Sequence, residues 1–353
     1  MKRILTIISI AAVALFCSCN EESVNPYEAE EGNPVRILSQ DLLFEAAGGT
    51  GQVVFESENP VNVTSELPWC VISTQGNTVT VSVGEYGGLE SRYCRIYLTS
   101  ESDTKIVVAQ QKGAWLSMVS GQEIITGDSP AILSVGARSN VSLRVSSDSP
   151  WLTGRIEGDS LKILVGANET GCIREGNVFV SFGSNTQSVK VTQAEVKDLA
   201  GDYVMKGLGR ISEPVEDDFS IISVNDTLVC IREKKYSWDM YAVFDQETLT
   251  LAIPNSQMIG RYQYGNTNFY VFNAMFHLET LTVNYGSPLT NFLKITRDEK
   301  NGKTILKYVD SGEWGTYRAD GMLFMGFSQY DGTSATGVLR FIDFYGNLTM
   351  ESV

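Results

Sequence analysis

Few residues of this chain have the types and spacing that catalysis requires. The 353 residues include a single histidine, His277, which leaves room for at most one Ser-His or Cys-His pair and removes metal sites that need several imidazoles. The sequence has no nucleophile elbow, zinc-protease motif, phosphate-binding loop or EF-hand loop. We therefore expect no enzymatic activity, metal or cofactor. Glycoside hydrolysis is the one chemical alternative, because it needs only two carboxylates among the 42 acidic residues.

Aromatic side chains are better candidates for a functional role, because their faces can stack on sugar rings. Residues 198–353 hold 23 of the 35 aromatics in the chain. Tyr236 and Trp238 alternate onto one face beside a charged turn, and Tyr262 and Tyr264 share another face. We predict that these four residues bind ligand, with packing in a core as the alternative for each.

The charge balance limits the partners. A net charge of −15 argues against nucleic-acid binding, which depends on neutralising phosphates. Glu213, Glu216, Asp217 and Asp218 form a local acidic cluster that could hold Ca²⁺, although a solvated acidic loop is the simpler interpretation. A hydrophobic content of 43% is enough to build sizeable cores, so the chain is expected to fold.

The first eighteen residues have the pattern of an export signal. Lys2 and Arg3 precede an uncharged run, residues 4–16, which is too short to span a bilayer where about 20 apolar residues are needed. After this signal, residues 19–34 carry five glutamates and no basic residue, which is typical of a self-repelling tether.

The end of the signal resembles a bacterial lipobox, in which a small residue precedes the cysteine that becomes lipidated. Ser18 before Cys19 fits this pattern, whereas Phe16 before Cys17 fits it poorly. Acidic residues 21 and 22 resemble the export signal of Bacteroidetes surface lipoproteins. The resemblance implies lipidation at Cys19 and a lipid anchor in the outer membrane, with the chain facing the exterior. An ordinary secretory signal that contains cysteines is the alternative.

Two copies of one β-rich module follow the tether. Pro68-Trp69 recurs 82 residues later as Pro150-Trp151, and Arg92 recurs as Arg174. If the second copy has one extra residue, Gln110 also matches Gln193. Apolar and polar residues alternate with period two in both copies, so each is predicted to be a small sandwich.

These features resemble the BACON domain, an immunoglobulin-like module of Bacteroidetes extracellular proteins. The second copy departs from the pattern at Gly127-Asp128-Ser129, where a double glycine is expected. The resemblance implies either carbohydrate association or a spacer role. Trp69 and Trp151 could accordingly stack on sugars, but their equivalent positions in the two copies favour packing within each sandwich.

The pattern of residues 197–353 predicts thirteen strands linked by tight turns. Such a succession of strands is typical of an up-and-down barrel. Trp314–Arg318 is one of these strands, and Tyr345-Gly-Asn347 is one of the turns. The opening Leu199-Ala-Gly-Asp-Tyr203 resembles the start of lipocalin-like domains. Such a barrel could hold one small ligand or be filled by its own side chains.

Four cysteines follow Cys19. Cys70 and Cys94 belong to one sandwich and could pair, whereas Cys172 and Cys230 are predicted to be free and buried.

The sequence thus predicts an all-β chain of two immunoglobulin-like sandwiches and a lipocalin-like barrel. The predicted segments are a signal peptide at 1–18, a tether at 19–34, sandwiches at 35–113 and 114–196, and a barrel at 197–353. The leading functional hypothesis is a non-enzymatic surface lipoprotein, anchored to the membrane by lipid, that binds or faces extracellular glycan. A spacer or interaction subunit of an outer-membrane complex and a glycoside hydrolase within the barrel are the alternatives.

Overall fold

A computed structural model describes residues 35–101, 103–286, 288–298 and 300–353. The signal peptide, the tether and Cys19 lie outside these ranges. Over the described residues the chain forms 29 strands and one short 3₁₀ helix, and it has no helix long and apolar enough to cross a bilayer. The chain divides into two compact units: residues up to Gly84 with Ser91–Lys112, and Glu85–Glu90 with Gly113–Val353.

The first unit is a sandwich of two four-stranded sheets. Its strands are β1 (Arg36–Asp41), β2 (Leu43–Phe44), β3 (Gly49–Glu56), β4 (Asn62–Ser65), β5 (Cys70–Gln75), β6 (Thr78–Val83), β7 (Arg92–Ser100) and β8 (Asp103–Gln111). The sheet orders are β1-β3-β6-β5 and β2-β8-β7-β4. Strand β6 buries Val79, Val81 and Val83 while its threonines and serine alternate outward, as the period-two pattern predicts.

The second sandwich repeats this topology. Its strands are β9 (Leu116–Ser117), β10 (Gln122–Thr126), β11 (Ala131–Gly136), β12 (Arg138–Ser139), β13 (Arg144–Ser147), β14 (Leu152–Glu157), β15 (Ser160–Val165), β16 (Arg174–Phe182) and β17 (Asn185–Gln193). The orders β11-β15-β14 and β10-β17-β16-β13 reproduce β3-β6-β5 and β2-β8-β7-β4. Strands β13 to β17 each begin and end 82 residues after their counterparts β4 to β8. The internal duplication is therefore confirmed.

The same offset corrects one residue of the sequence alignment. Arg92 donates from Nε and Nη2 to Oε1 of Gln111 at 3.0 and 2.7 Å, and Arg174 donates from Nε to Oε1 of Gln193 at 2.7 Å. Gln111, not Gln110, is therefore the counterpart of Gln193, and the second copy has no extra residue. Both glutamines are fully buried, and each amide donates to backbone carbonyls of neighbouring loops.

The repeated tryptophans are part of the same arrangement. The guanidinium of Arg92 lies 4.0 Å from the ring centroid of Trp69, and that of Arg174 lies 4.3 Å from the ring centroid of Trp151. Both rings are partly buried against the core of their own sandwich. A ring with one face on the core and a guanidinium on its π system has little surface left for a sugar. The geometry thus supports the packing interpretation.

The remaining strands build a closed eight-stranded barrel with an attached sheet. A 3₁₀ helix, Val196–Leu199, leads into β18 (Gly201–Leu208), β19 (Pro214–Ser223), β20 (Leu228–Glu233), β21 (Trp238–Asp245), β22 (Thr250–Pro254), β23 (Met258–Tyr264), β24 (Thr267–His277), β25 (Thr282–Asn284), β26 (Thr290–Arg297), β27 (Thr304–Val309), β28 (Gly321–Tyr330) and β29 (Ala335–Ser352). The barrel order is β18-β19-β20-β21-β22-β26-β27-β29, and β29 pairs with β18 to close it. All of these pairings are antiparallel.

Four strands depart from a simple up-and-down order. Strands β23, β24 and β28 join the first part of β29 in a second sheet, and β25 pairs with β24. The middle of β24 and most of β28 are buried on both faces, because one face packs on the barrel core and the other on a separate cluster around Phe272 and Leu323. Strands buried on both sides need cover on both sides, which a single barrel wall cannot provide.

The long strand β29 belongs to both sheets. Its first part pairs with β28 as far as Gly346, and residues 346–352 pair with β18. Asn347 has a φ of +54° and lies where the strand passes from one sheet to the other. The predicted turn at Tyr345-Gly-Asn347 is therefore a bend within one strand, because asparagine tolerates the left-handed region without ending the pairing.

Two further sequence predictions were wrong. Residues 312–317, which include most of the predicted strand Trp314–Arg318, form turns and a bend instead. Gly312 and Gly315, both at positive φ, explain the turns. The aromatic residues Trp314 and Tyr317 had favoured a strand. Cys172 is exposed because it lies in a loop before β16, whereas Cys230 on β20 is buried as expected.

Two buried carboxyl groups meet where the second sandwich continues into the barrel. Asp128 and Asp198 are only 6% and 4% exposed. Asp128 accepts a hydrogen bond from Nδ2 of Asn168 at 2.9 Å, and it forms an ion pair with Nζ of Lys197 at 2.6 Å. Asp198 accepts from the backbone N–H of Glu195 at 2.8 Å. Burial and the charge of Asp128 raise the pKa of Asp198 to about 6.

This raised pKa predicts a pH-dependent contribution to stability. The unfolded carboxyl titrates near pH 4, so between about pH 4 and 6 the folded chain binds more protons and its free energy of unfolding falls as pH rises. Asp198→Asn removes the titration. We expect the variant to be more stable than the parent by about 1–2 kcal/mol at pH 7.5, and equal to it near pH 4. Urea unfolding at both pH values measures the difference, and an advantage that does not change with pH would contradict the assignment.

Candidate ligand site at one end of the barrel

The hairpin between β20 and β21 positions the residues that the sequence singled out. Glu233, only 4% exposed, accepts hydrogen bonds from the backbone N–H groups of Lys235 and Tyr236 at 2.8 and 2.5 Å. Ser237 has a φ of +56° and completes the turn. The buried carboxylate therefore fixes the loop that presents Tyr236 and leads into Trp238.

Three of the four predicted ligand-binding residues come together. The rings of Tyr236 and Trp238 stack with centroids 4.5 Å apart and planes 20° apart. Tyr262 meets them edge-on, with centroids 5.5 Å from Tyr236 and 6.2 Å from Trp238. We call these three residues the aromatic cluster. The hairpin between β20 and β21 and the later strand β23 thus supply one contiguous group of aromatic rings.

The members of the aromatic cluster differ in exposure. Trp238 is 2% exposed, and its Nε1 donates to the backbone carbonyl of Arg261 at 2.9 Å. The backbone of Gly260 covers it so closely that a Cβ there would lie 2.1 Å from Cδ1 of the indole. Tyr236 and Tyr262 are only half-buried. Trp238 is therefore the support of the cluster, and the two tyrosines are the rings that a ligand can reach.

The fourth predicted residue has a different environment. Tyr264 is 54% exposed, near the end of β23. The guanidinium of Arg340 lies 3.5 Å from its ring centroid, so one ring face is covered. Tyr262 and Tyr264 share a strand face as predicted, but the cluster includes only Tyr262.

Two half-buried carboxyl groups, Asp217 and Asp343, lie near Lys235, and we call them the rim carboxylates. Asp217 accepts a hydrogen bond from the hydroxyl of Tyr345 at 2.7 Å. Burial, followed by the charge of Asp217, raises the pKa of Asp343 above its ordinary value. Lys235 lies with Nζ 4.8 Å from the ring centroid of Tyr236, and a hydrogen bond to that tyrosine, with the rim carboxylates nearby, raises the pKa of the ammonium. The site thus combines ring faces with hydrogen-bonding groups of both charges.

A shallow groove lies beside Asp217 and Lys235, and no residue of the aromatic cluster lines it. It has a volume of about 500 Å³, and Asp217 and Lys235 line it together with Val204 and neighbouring charged residues. Asp217 was part of the acidic cluster in the sequence, but Glu216 and Asp218 are exposed while Asp217 is half-buried. In the described part of the chain, no group of three or more His, Cys, Asp or Glu side chains is placed to hold a metal ion.

Sequence reasoning missed Asp343 and Tyr345. Both lie on β29, about 80 residues after Tyr262, so no local spacing connects them with the aromatic residues. The one available signal is a lone acidic residue inside the apolar run Phe341-Ile-Asp-Phe344, since a charge on a strand that is otherwise apolar usually has a specific partner.

A larger cleft in the described part of the chain lies elsewhere and is less suited to a ligand. It measures about 710 Å³ and lies between the end of the second sandwich and the loops of the barrel. Its side chains already serve the local structure: Asn225 and Asp245 accept backbone hydrogen bonds within turns, and Gln246 donates to the carbonyl of Ala194. These groups have less capacity for a ligand than those beside the aromatic cluster.

Comparisons with solved structures found partial matches at low identity. A chimeric titin tandem carrying a decorin peptide is 13% identical and matches 45% of this chain and 96% of its own, with a TM-score of 0.25. Another titin tandem is 11% identical over 45% of this chain and 66% of its own, with a TM-score of 0.33. An endo-fucoidan hydrolase of glycoside hydrolase family 107 is 11% identical, with a TM-score of 0.27, and the match covers 47% of this chain but only 29% of that enzyme. Similarity at this level does not indicate a shared function.

One family model matches part of the chain, and no curated protein shows a significant match. The model is that of the BACON family, described as "Putative binding domain, N-terminal", and it covers residues 141–194. This range runs from just before β13 to the end of β17 and includes Trp151, Arg174 and Gln193. The match to the BACON family model therefore lies within the second sandwich, and the closed eight-stranded barrel lies outside it.

Proposed function

We propose that this chain is a non-enzymatic surface lipoprotein whose barrel binds extracellular glycan at the aromatic cluster. The observation that carries the proposal is the edge-on contact of two half-buried tyrosines, Tyr236 and Tyr262, with Lys235 against the ring of Tyr236 and the charges of the rim carboxylates acting on that lysine. Sugar rings present apolar C–H faces and a fringe of hydroxyl groups. A site for them needs both aromatic faces and fixed hydrogen-bonding groups.

The support beneath these tyrosines favours binding. Tyr236 stacks on the buried indole of Trp238, and its backbone is held by Glu233. A ring that is already immobilised loses little conformational entropy when a ligand stacks on it. The BACON match, which describes a binding domain, supports a role in recognition without naming a ligand.

Replacing Tyr236 tests the proposal directly. Tyr236→Ala is expected to weaken binding of the glycan that the parent chain selects on a glycan array by about fivefold or more, because truncating an aromatic ring that a ligand stacks on costs roughly 1 kcal/mol or more. Isothermal titration calorimetry of both proteins against that glycan measures the change. Tyr241→Ala is the matched control, since Tyr241 is 44% exposed on β21 and lies outside the aromatic cluster. Equal losses in the two variants would remove the site assignment.

The alternatives give different results in the same experiments. A spacer or interaction subunit without a ligand of its own would bind no glycan on the array. A glycoside hydrolase would release reducing ends from polysaccharide. The observation that favours hydrolysis is that Asp217 helps to raise the pKa of Asp343, since such a carboxyl pair resembles a general acid with its partner carboxylate. Asp343→Asn would then abolish product release.

The proposed lipid anchor has a separate test. If Cys19 is acylated, the parent chain partitions into the detergent phase on Triton X-114 separation and incorporates labelled palmitate in a bacterial host. Cys19→Ser is expected to lose both properties, whereas Cys17→Ser keeps both. If only Cys17→Ser loses the label and the detergent partitioning, Cys17 is the acylated residue. If the parent chain takes up no label, the segment is an ordinary secretory signal.

A further inference from the structure

The first sandwich contains two thiols that face each other across its core. Cys70 begins β5 in one sheet and Cys94 lies on β7 in the other. They are 2% and 1% exposed, and both belong to the single buried core of this sandwich. The hydroxyl of Ser65 lies 3.3 Å from Sγ of Cys94. Both thiols are free in this structure.

The second sandwich shows independently that these two positions are in contact. Its equivalent residues are Leu152 and Gly176, each 82 residues later. A Cβ built on Gly176 would lie 2.9 Å from Cδ1 of Leu152. The second copy therefore pairs a large side chain with no side chain, whereas the first divides the same space between two cysteines. The Cβ direction of one position therefore leads into the space that the side chain of the other occupies.

We propose that Cys70 and Cys94 form a disulfide that joins the two sheets of the first sandwich when the chain meets a disulfide oxidant. One thiolate attacks the oxidant disulfide to form a mixed disulfide and release one reduced thiol. The second thiolate then attacks the cysteine sulfur of that mixed disulfide and releases the other. The cysteine pair loses two protons and two electrons, and the oxidant gains both electrons.

Burial determines when this bond forms. Burial and the neighbouring sulfur raise the pKa of the Cys70 thiol to about 11, so the attacking thiolate is scarce in the folded state. We expect oxidation to be slow in the folded sandwich and fast while the sheets are still separate. The inter-sheet bond then closes a 25-residue segment and restrains the unfolded chain.

Peptide mapping after refolding with oxidised glutathione tests the proposal. Trypsin cleaves after Arg36, Arg92 and Arg95, so the disulfide would link residues 37–92 to residues 93–95. We expect this linked peptide in the parent chain, its loss on reduction, and an oxidised first sandwich that melts about 5 °C or more above the reduced one. Cys230→Ser should keep the linked peptide.

A variant that copies the second sandwich is the control for folding. Cys70→Leu/Cys94→Gly carries the residue pair that already packs in the other copy. It is expected to fold and to melt at the same temperature with or without oxidised glutathione. If the parent chain refolds with the oxidant and both cysteines are still fully alkylated without the linked peptide, the proposal is overturned.

Discussion

Trp238→Ala is expected to lower the free energy of unfolding of the barrel by about 3–5 kcal/mol. The indole is buried, packs edge-on against Phe324 with centroids 5.8 Å apart, and supports Tyr236. Removing it leaves a cavity and an unpartnered carbonyl on Arg261. Urea denaturation followed by far-UV circular dichroism measures the loss without depending on the deleted fluorophore.

Trp238→Phe provides the graded comparison for this prediction. It keeps an aromatic ring under Tyr236 but loses the Nε1 donor, so we expect a smaller loss of about 1–2 kcal/mol. A Trp238→Ala variant as stable as the parent would show that the ring does not support the barrel. Trp238→Ala removes both the support of the barrel core and the ring on which Tyr236 stacks. Tyr236→Ala is therefore the cleaner test of glycan binding.

Gly321→Ala is expected to lower the free energy of unfolding of the barrel by about 3 kcal/mol or more. Gly321 pairs with Gly346 where β28 meets β29, and a Cβ there would lie 1.8 Å from the carbonyl oxygen of Tyr345. The obstacle is backbone, so no rotamer change can relieve it. Displacing Tyr345 would also weaken its hydrogen bond to Asp217.

Thermal unfolding of Gly321→Ala beside Gly136→Ala measures this effect. Gly136 ends β11 in the second sandwich, and a Cβ there would have no heavy atom within 4 Å. The control is expected to match the parent within about 0.5 kcal/mol. A Gly321→Ala variant that unfolds at the parent temperature would contradict the close approach of β28 to Tyr345.

The parts of the fold that the sequence predicted correctly depend on local patterns. Period-two alternation identified β6 and β15, and the repeat of Pro-Trp identified two sandwiches. The same reasoning placed Gln110 opposite Gln193, because one glutamine follows another in the first copy. Only the hydrogen bonds from Arg92 distinguish Gln111 from its neighbour.

The candidate site was predicted in part for a similar reason. Tyr236 and Trp238 are two residues apart on one hairpin, so their proximity follows from strand geometry. Their contact with Tyr262 and the position of Asp343 depend on how a second sheet folds over the barrel. The burial of Trp238 depends on the same cover, so sequence alone could not separate the supporting ring from the exposed ones.

Because β29 pairs with β28 in its first part and with β18 in its last part, the barrel can close only after β29 is available. The pairing of β29 with β18 joins residues about 145 positions apart, as between Lys206 and Glu351. This contact carries a high loop-closure entropy and is available only after the intervening strands have been synthesised. We therefore expect the hairpin of β18 and β19 to form early with its free edge unpaired, and the barrel to close in a late, slow step. During folding, this open edge would be the part of the domain most exposed to pairing with other chains.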